Sequence, residues 1–233
     1  MTRGLLVLLI LVSLLFMPAI PLAAQGEGTP ARSSINLVVN GSFELPVVGT
    51  LMGQRGMTGE MSWDLFTTDQ VPGWKSRWAD TVPETFNGSI RPLTAFFEIQ
   101  RHPLGWQPAA GEQHIELDSG WSADTGESIP ASISIYQDLA TCAKGEYILS
   151  FAWSPRPNEH GEGMDSVEVG WNGETIDTYS GKRGTNTKWT YESINVTASS
   201  EITRLEFAET GTPDTQGMFL DDVSLTLVSC EGK

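Results

Sequence analysis

The chain is 233 residues long and carries 29 acidic against 14 basic side chains, a formal net charge of −15. So acidic a balance repels nucleic acid and anionic membrane surfaces and leaves neutral glycans and cations as acceptable partners. Its plainest role is to keep an exported protein soluble.

Residues 1–24 read as a secretory signal: Arg3 is the positive end, Leu5 to Met17 the apolar run, and Ala23-Ala24 the small residues of a cleavage site. The run is short for a membrane span, and Pro18 and Pro21 close it, so no membrane insertion is expected. Cleavage removes Arg3 and takes the formal charge from −15 to −16. Residues 25–35 are small and polar, a flexible leader, and residues 36–230 read as a single domain.

Asn40-Gly41-Ser42-Phe43-Glu44 opens that domain. From Pro46 to Pro92 the chain is rich in Gly, Met, Thr and Pro, with Trp63, Trp74 and Trp78 irregularly spaced, which reads as long loops decorated by short strands. Gly111-Glu112-Gln113-His114-Ile115-Glu116-Leu117 follows, then an alternating strand over Ser132 to Asp138. Tyr147, Leu149, Phe151 and Trp153 alternate with Ile148, Ser150 and Ala152, a core strand. Val167, Val169 and Trp171 meet Ile176 across Asn172-Gly173, a dipeptide that supplies the positive φ angles of a tight hairpin. Trp189 and Tyr191 fall in another strand, Leu205 and Phe207 in the next, and a turn at Gly211 to Gly217 leads into a last strand over Met218 to Val228. No apolar stripe holds helical spacing for more than about two turns, which argues for an all-β chain. The turn spacing points to a two-sheet antiparallel β-sandwich.

Read with period 2, the last strand puts Phe219, Asp221, Val223, Leu225 and Leu227 on one face, so Asp221 shares a side with core residues. A buried carboxylate needs a partner, commonly a basic side chain or a cation. Asp221 and Glu44, each beside an aromatic at opposite ends of the domain, suggest that the terminal segments lie together and share a calcium ion. The alternative is that Glu44 is solvated and Asp221 is hydrogen-bonded to backbone amides. Cys142 and Cys230 enter an oxidising compartment, where a disulfide is the natural inference, with two free thiols as the alternative.

The order of these motifs, from Asn40-Gly41-Ser42-Phe43-Glu44 through Val71-Pro72-Gly73-Trp74 and the 111–117 segment to Asp221-Asp222-Val223, resembles the galactose-binding-like jelly roll. It is similar in particular to the secreted domain-of-unknown-function 642 group and to the calcium-containing carbohydrate-binding modules of bacterial polysaccharidases. The resemblance runs from about Leu37 to Leu227. It implies a structural calcium held by Glu44, Asp221 and either Glu116 or Asp118, with backbone carbonyls completing the shell.

Sugar sites combine an aromatic platform with planar polar side chains. Candidates in or beside loops are Trp78, Arg101, Trp106, Trp121 and Arg156, the last held between Pro155 and Pro157. Core burial is the expectation for Trp74, Trp153, Trp171 and Trp189, which lie in strands. Glu98, Glu116, Asp165 and Glu168 read as solvated strand faces, and the 158–163 loop lacks the helical spacing of a zinc hydrolase. Neither a Gly-x-Ser-x-Gly elbow nor a phosphate loop occurs. The expected function is a secreted, noncatalytic carbohydrate-binding protein that binds cell-wall or extracellular-matrix polysaccharide. The alternatives are an adhesive surface protein that binds other proteins and, behind it, a glycoside hydrolase, which needs two carboxyl groups suitably spaced in one cleft.

Overall fold

A computed structural model describes residues 35–49, 56–58, 61–79, 82–101, 106–122 and 128–230. The signal segment and nearly all of the leader lie outside these residues. The strands are β1 (Gly56–Thr58), β2 (Met61–Phe66), β3 (Lys75–Trp78), β4 (Thr85–Phe86), β5 (Ser89–Ile90), β6 (Phe97–Arg101), β7 (His114–Glu116), β8 (Trp121–Ser122), β9 (Ser128–Ile129), β10 (Ile133–Ala140), β11 (Glu146–Pro155), β12 (Met164–Trp171), β13 (Glu174–Lys182), β14 (Thr190–Thr197), β15 (Ile202–Glu209) and β16 (Met218–Ser229).

Seven strands form one antiparallel sheet in the order β1-β2-β6-β7-β16-β11-β14, and five form a second in the order β13-β12-β15-β10-β3. No described residue is helical, so the chain is the all-β sandwich that its alternation predicts. Alternating apolar residues meet between the sheets: Phe151 of β11 lies 5.1 Å from Phe207 of β15, and Trp74 stands 6.4 Å from Phe207 and 5.4 Å from Phe43. The Asn172-Gly173 turn has φ of 54° and 88° and joins β12 to β13 as expected. Among the described residues, the segment between Pro46 and Pro92 holds only short strands, three of which, β1, β2 and β3, add to the sheets.

The two ends of the domain run side by side. Leu37 N donates to Leu225 O at 2.9 Å, and Val223 N donates to Gly41 O at 2.9 Å. Gly41 is obligatory at that contact, since a Cβ there would stand 1.9 Å from the Val223 carbonyl oxygen. Cys142 is joined to Cys230, Cα to Cα 6.1 Å, and ties the loop before β11 to the end of β16.

The last strand departs from simple alternation. Leu220 pairs with Trp153, and Leu225 pairs with Leu149, so both leucines face the core although five positions separate them. A register shift opposite Ser150/Ala152, with Asp222 at φ 49°, absorbs the odd residue as a bulge. Phe219 and Asp221 are therefore turned to the outer face of the large sheet, not to the core side that Val223 and Leu225 occupy.

Candidate functional site

Pairing places two rows of side chains on that outer face. Leu65, Glu98, Glu116, Phe219 and Ser154 stand opposite one another across β2, β6, β7, β16 and β11. Beside them run Trp63, Gln100 and His114, with Asp221, Ala152 and Tyr191 continuing the row to β14. Five strand spacings separate β2 from β14, a face about 24 Å across.

An outer face should be wet, yet its middle is sealed. Gln100, His114, Glu116, Phe219 and Asp221 are all fully buried, and Glu98 is nearly so. Residues 106–110 cross above them. Trp106 rests 6.1 Å from Phe219, the Gln107 carbonyl accepts Trp189 Nε1 at 2.7 Å, and Ala110 N donates to Asp221 Oδ2 at 2.8 Å. Trp189 completes an aromatic cluster with His114 (5.7 Å) and Phe219 (6.5 Å). Trp106, Trp189 and Trp63 remain half-buried, and Tyr191 is 62% exposed.

The sealed floor is polar and crowded. Gln100 Nε2 donates to Glu98 Oε1 at 3.0 Å and also to Glu116 Oε2. Arg156 Nη1 donates to Glu116 Oε1 at 2.7 Å and to the Thr215 carbonyl, while its guanidinium lies 5.7 Å from the Trp106 ring centre. Burial pushes the Glu98 carboxyl up and the Glu116 carboxyl well up, Arg156 opposing the shift in both. The two carboxyls share Gln100 Nε2 as their donor. Two polar atoms of this floor have no partner among the described residues: Gln100 Oε1 and Arg156 Nε.

These positions correct several expectations. Trp78 and Trp121 are packing residues, 5% and 1% exposed. Trp78 caps one end of the sandwich with Nε1 on the Pro92 carbonyl (2.8 Å), and Trp121 lies in β8 against β9. Trp189, expected in the core, stands on the outer face because it precedes Thr190, whose partner Trp153 points inward. Glu98, Glu116 and Asp165 are not solvated: loops close over their faces. Of the five proposed sugar-contacting residues, Trp106 and Arg156 come together. Arg101 ends β6 and pairs with Glu112. Trp63 and Tyr191 escaped notice because only pairing, which a single strand's pattern does not encode, sets them on this face.

The four proposed metal ligands divide among three places. Glu44 Oε1 accepts from Glu112 N (2.9 Å) and Gln113 N (3.1 Å), while Asp221 accepts from Ala110 N and Asp222 N, so these two acids hold one short loop from either side. Gly111 is the residue that fits between, since a Cβ there would be 2.1 Å from Glu44 Oε1. Glu116 belongs to the Arg156 floor, and Asp118 accepts from Ala131 N, Asp214 N and Thr215 N. Both therefore sit apart from Glu44 and Asp221. Among the described residues no group of three or more His, Cys, Asp or Glu is placed to hold a metal ion. Burial raises the Asp221 carboxyl to about 7 against the pull of its amide donors.

No family model matches the chain. It is 37% identical over 190 residues, 81% of its length, to a multifunctional-autoprocessing repeats-in-toxin protein of Vibrio vulnificus. It is 34% identical over 146 residues, 58% of its length, to the protein of that name from Vibrio cholerae serotype O1. The chain spans about 3% of the length of either relative. Among solved structures, TmCBM61 in complex with β-1,4-galactotriose is 14% identical with a TM-score of 0.48, covering 83% of this chain and 99% of that one. The K3 cleaved adhesin domain of Lys-gingipain from Porphyromonas gingivalis is 15% identical with a TM-score of 0.40, covering 66% and 90%. A family 35 carbohydrate-binding module from Clostridium thermocellum is 12% identical with a TM-score of 0.35, covering 70% and 97%.

Proposed function

We propose that the protein is an exported, noncatalytic glycan-binding module, and that its site is the rim of the large sheet's outer face, where Trp106, Arg156 and Trp189 meet. The observation that carries this reading is Trp106: a half-buried indole set above a polar floor, with the partly exposed Arg156 guanidinium 5.7 Å from its ring centre. An indole face stacks on the apolar side of a sugar ring, and a guanidinium N–H donates to its hydroxyls. Trp189 and Tyr191 extend the aromatic surface toward β14, far enough for an oligosaccharide rather than one sugar. Cell-wall or matrix polysaccharide is the proposed partner class. Export is supported by the N-terminal segment's composition, by the Cys142–Cys230 bond and by the likeness to proteins named as toxins.

A hydrolytic role is disfavoured by the same floor. Its two glutamates share the single donor Gln100 Nε2 on a sealed floor, whereas glycosidase carboxyls face each other across a cleft that admits the substrate, about 5 Å or more apart. A glycan array probed with the purified domain tests the proposal. Binding to at least one plant, bacterial or animal polysaccharide is expected from the native protein and not from Trp106→Ala. Silence from the native protein across all three classes shifts the reading to an adhesive surface protein.

A structural calcium ion is proposed alongside, at Glu44 and Asp221. Both carboxylates keep unused lone pairs beside one loop, and a divalent cation would relieve the desolvation that Asp221 suffers. Calcium takes six to eight oxygens, so backbone carbonyls and water would complete the shell. Metal analysis of the purified protein and a melting curve with and without EDTA test it. A lowered Tm in EDTA is expected; an unchanged Tm with no bound metal removes the ion.

A further inference from the structure

Arg156 does not hold itself in place. Its backbone N donates to Asp165 Oδ2 at 2.8 Å, and its side chain is pinned by the Thr215 carbonyl and Glu116. Both the Asp165 carboxylate and the Thr215 loop are gripped by a second arginine, Arg183, which is 5% exposed and lies just beyond β13. Arg183 Nε donates to Asp165 Oδ1 at 2.7 Å. Its other two nitrogens take both oxygens of Asp214 (2.9 and 3.0 Å), Gln216 Oε1 (3.2 Å) and the Gln216 carbonyl. One planar fork thus spans β12 and both sides of Thr215, an arrangement that a lysine's point charge does not reproduce.

The rest of the 211–217 loop is anchored by buried acids. Glu209 accepts from Gly211 N and Met218 N, Asp118 from Asp214 N and Thr215 N, and Glu116 from Gly217 N. These acids supply acceptors, so the loop needs a buried donor to close its outward carbonyls and the Asp214 carboxylate, and Arg183 is that donor. Gly163 makes room for it: a Cβ there would fall 2.8 Å from Arg183 Nη1.

We propose that Arg183 is a positioning residue for the glycan site, setting Arg156 by two routes, through Asp165 to its backbone and through the 211–217 loop to its side chain. The contacts that carry its effect are those to Asp165 and to the 214–216 loop, both of which hold Arg156. This inference rests on the outer-face reading of function, and its test is arranged to fail separately from it.

The measurement is a double-mutant cycle of Arg183→Met with Arg156→Ala, read by chemical denaturation and by binding to the strongest glycan from the array. Arg156→Ala is expected to weaken binding about tenfold, the worth of one charge-assisted hydrogen bond. Arg183→Met is expected to weaken it comparably, and the double variant no further. Arg183→Lys, which keeps the charge, replaces Arg183→Met if that variant does not fold, and is expected to restore little of the affinity. Hydrogen exchange should rise over 211–217 in either Arg183 variant while β10 and β15 stay protected. Additive losses in the cycle, or native binding and native exchange in Arg183→Lys, would overturn the proposal. If the native protein binds no glycan, the functional reading fails, and coupling in the denaturation cycle alone then decides whether Arg183 sets Arg156.

Discussion

Among single residues, the tryptophans fall into two kinds that a substitution separates. Trp78 and Trp121 fill the interior, so truncation to Ala is expected to cost about 3–5 kcal/mol of stability by denaturant titration, as large aromatic deletions do. Trp106 and Trp189 are half-buried, and Ala at either is expected to remove glycan binding while lowering stability by less than the core deletions. The reverse ordering would place the site elsewhere. Little of this division was legible in the residues themselves. Trp121 and Trp106 each follow a glycine, and what distinguishes them is which loop folds over which. Arg156 was legible, because the prolines on either side mark a strand end, but its partner Glu116 was not. A glutamate alternating with Ile115 reads as solvated until a loop covers it.

At the scale of elements, periodicity was a good guide inside the sandwich and failed at its defects. The alternation of β11 and the Asn172-Gly173 hairpin came out as the pattern requires, since both faces of each choice are set locally. The bulge at Asp222 is not local: it exists so that β16 can pair with β11 on one side while Val223 meets Gly41 on the other. A period-2 reading therefore carried Asp221 to the wrong face. The meeting of the chain ends was readable from the two acidic motifs, and the glycine in the first has its reason in that contact. The Cys142–Cys230 bond closes a separation of 88 residues around β11 to β16. A paired Cys142→Ser, Cys230→Ser variant is expected to lose about 2–5 kcal/mol by denaturant titration, consistent with long-loop closure. A loss below about 1 kcal/mol would show that the strand pairing of β16 with β11 already holds the end in place.

For the whole molecule, the unusual feature is how many carboxyls lie buried. Burial raises Glu209 to about 8, Asp221 to about 7 and Asp118 to about 6, and Glu98, Glu116 and Asp165 shift the same way. A carboxyl whose folded pKa is raised binds its proton more tightly in the folded state than in the unfolded chain. Its stabilising effect is complete below the unfolded value, 3.8 or 4.5, and is lost as pH climbs through the folded value. Stability is therefore expected to fall between mildly acidic pH and about pH 8, opposite to the usual behaviour of salt-bridged acids. Melting curves across that range in EDTA check the sign. A stability that rises toward alkaline pH under chelation would mean that these acids are ionised and paired in the fold. Added calcium is expected to restore part of the alkaline loss, since a cation at Asp221 favours its ionised form.

The outer face of the large sheet, not the core or the opposite sheet, is the surface proposed to meet the glycan. This is tested most directly by following the tryptophan indole N–H resonances while the strongest ligand from the array is titrated into labelled protein. The signals of Trp106 and Trp189 are expected to move with saturation while those of Trp78 and Trp121 stay where they are. Perturbation confined to the opposite sheet, around Arg77 and Ala208, with Trp106 and Trp189 unmoved, would contradict it.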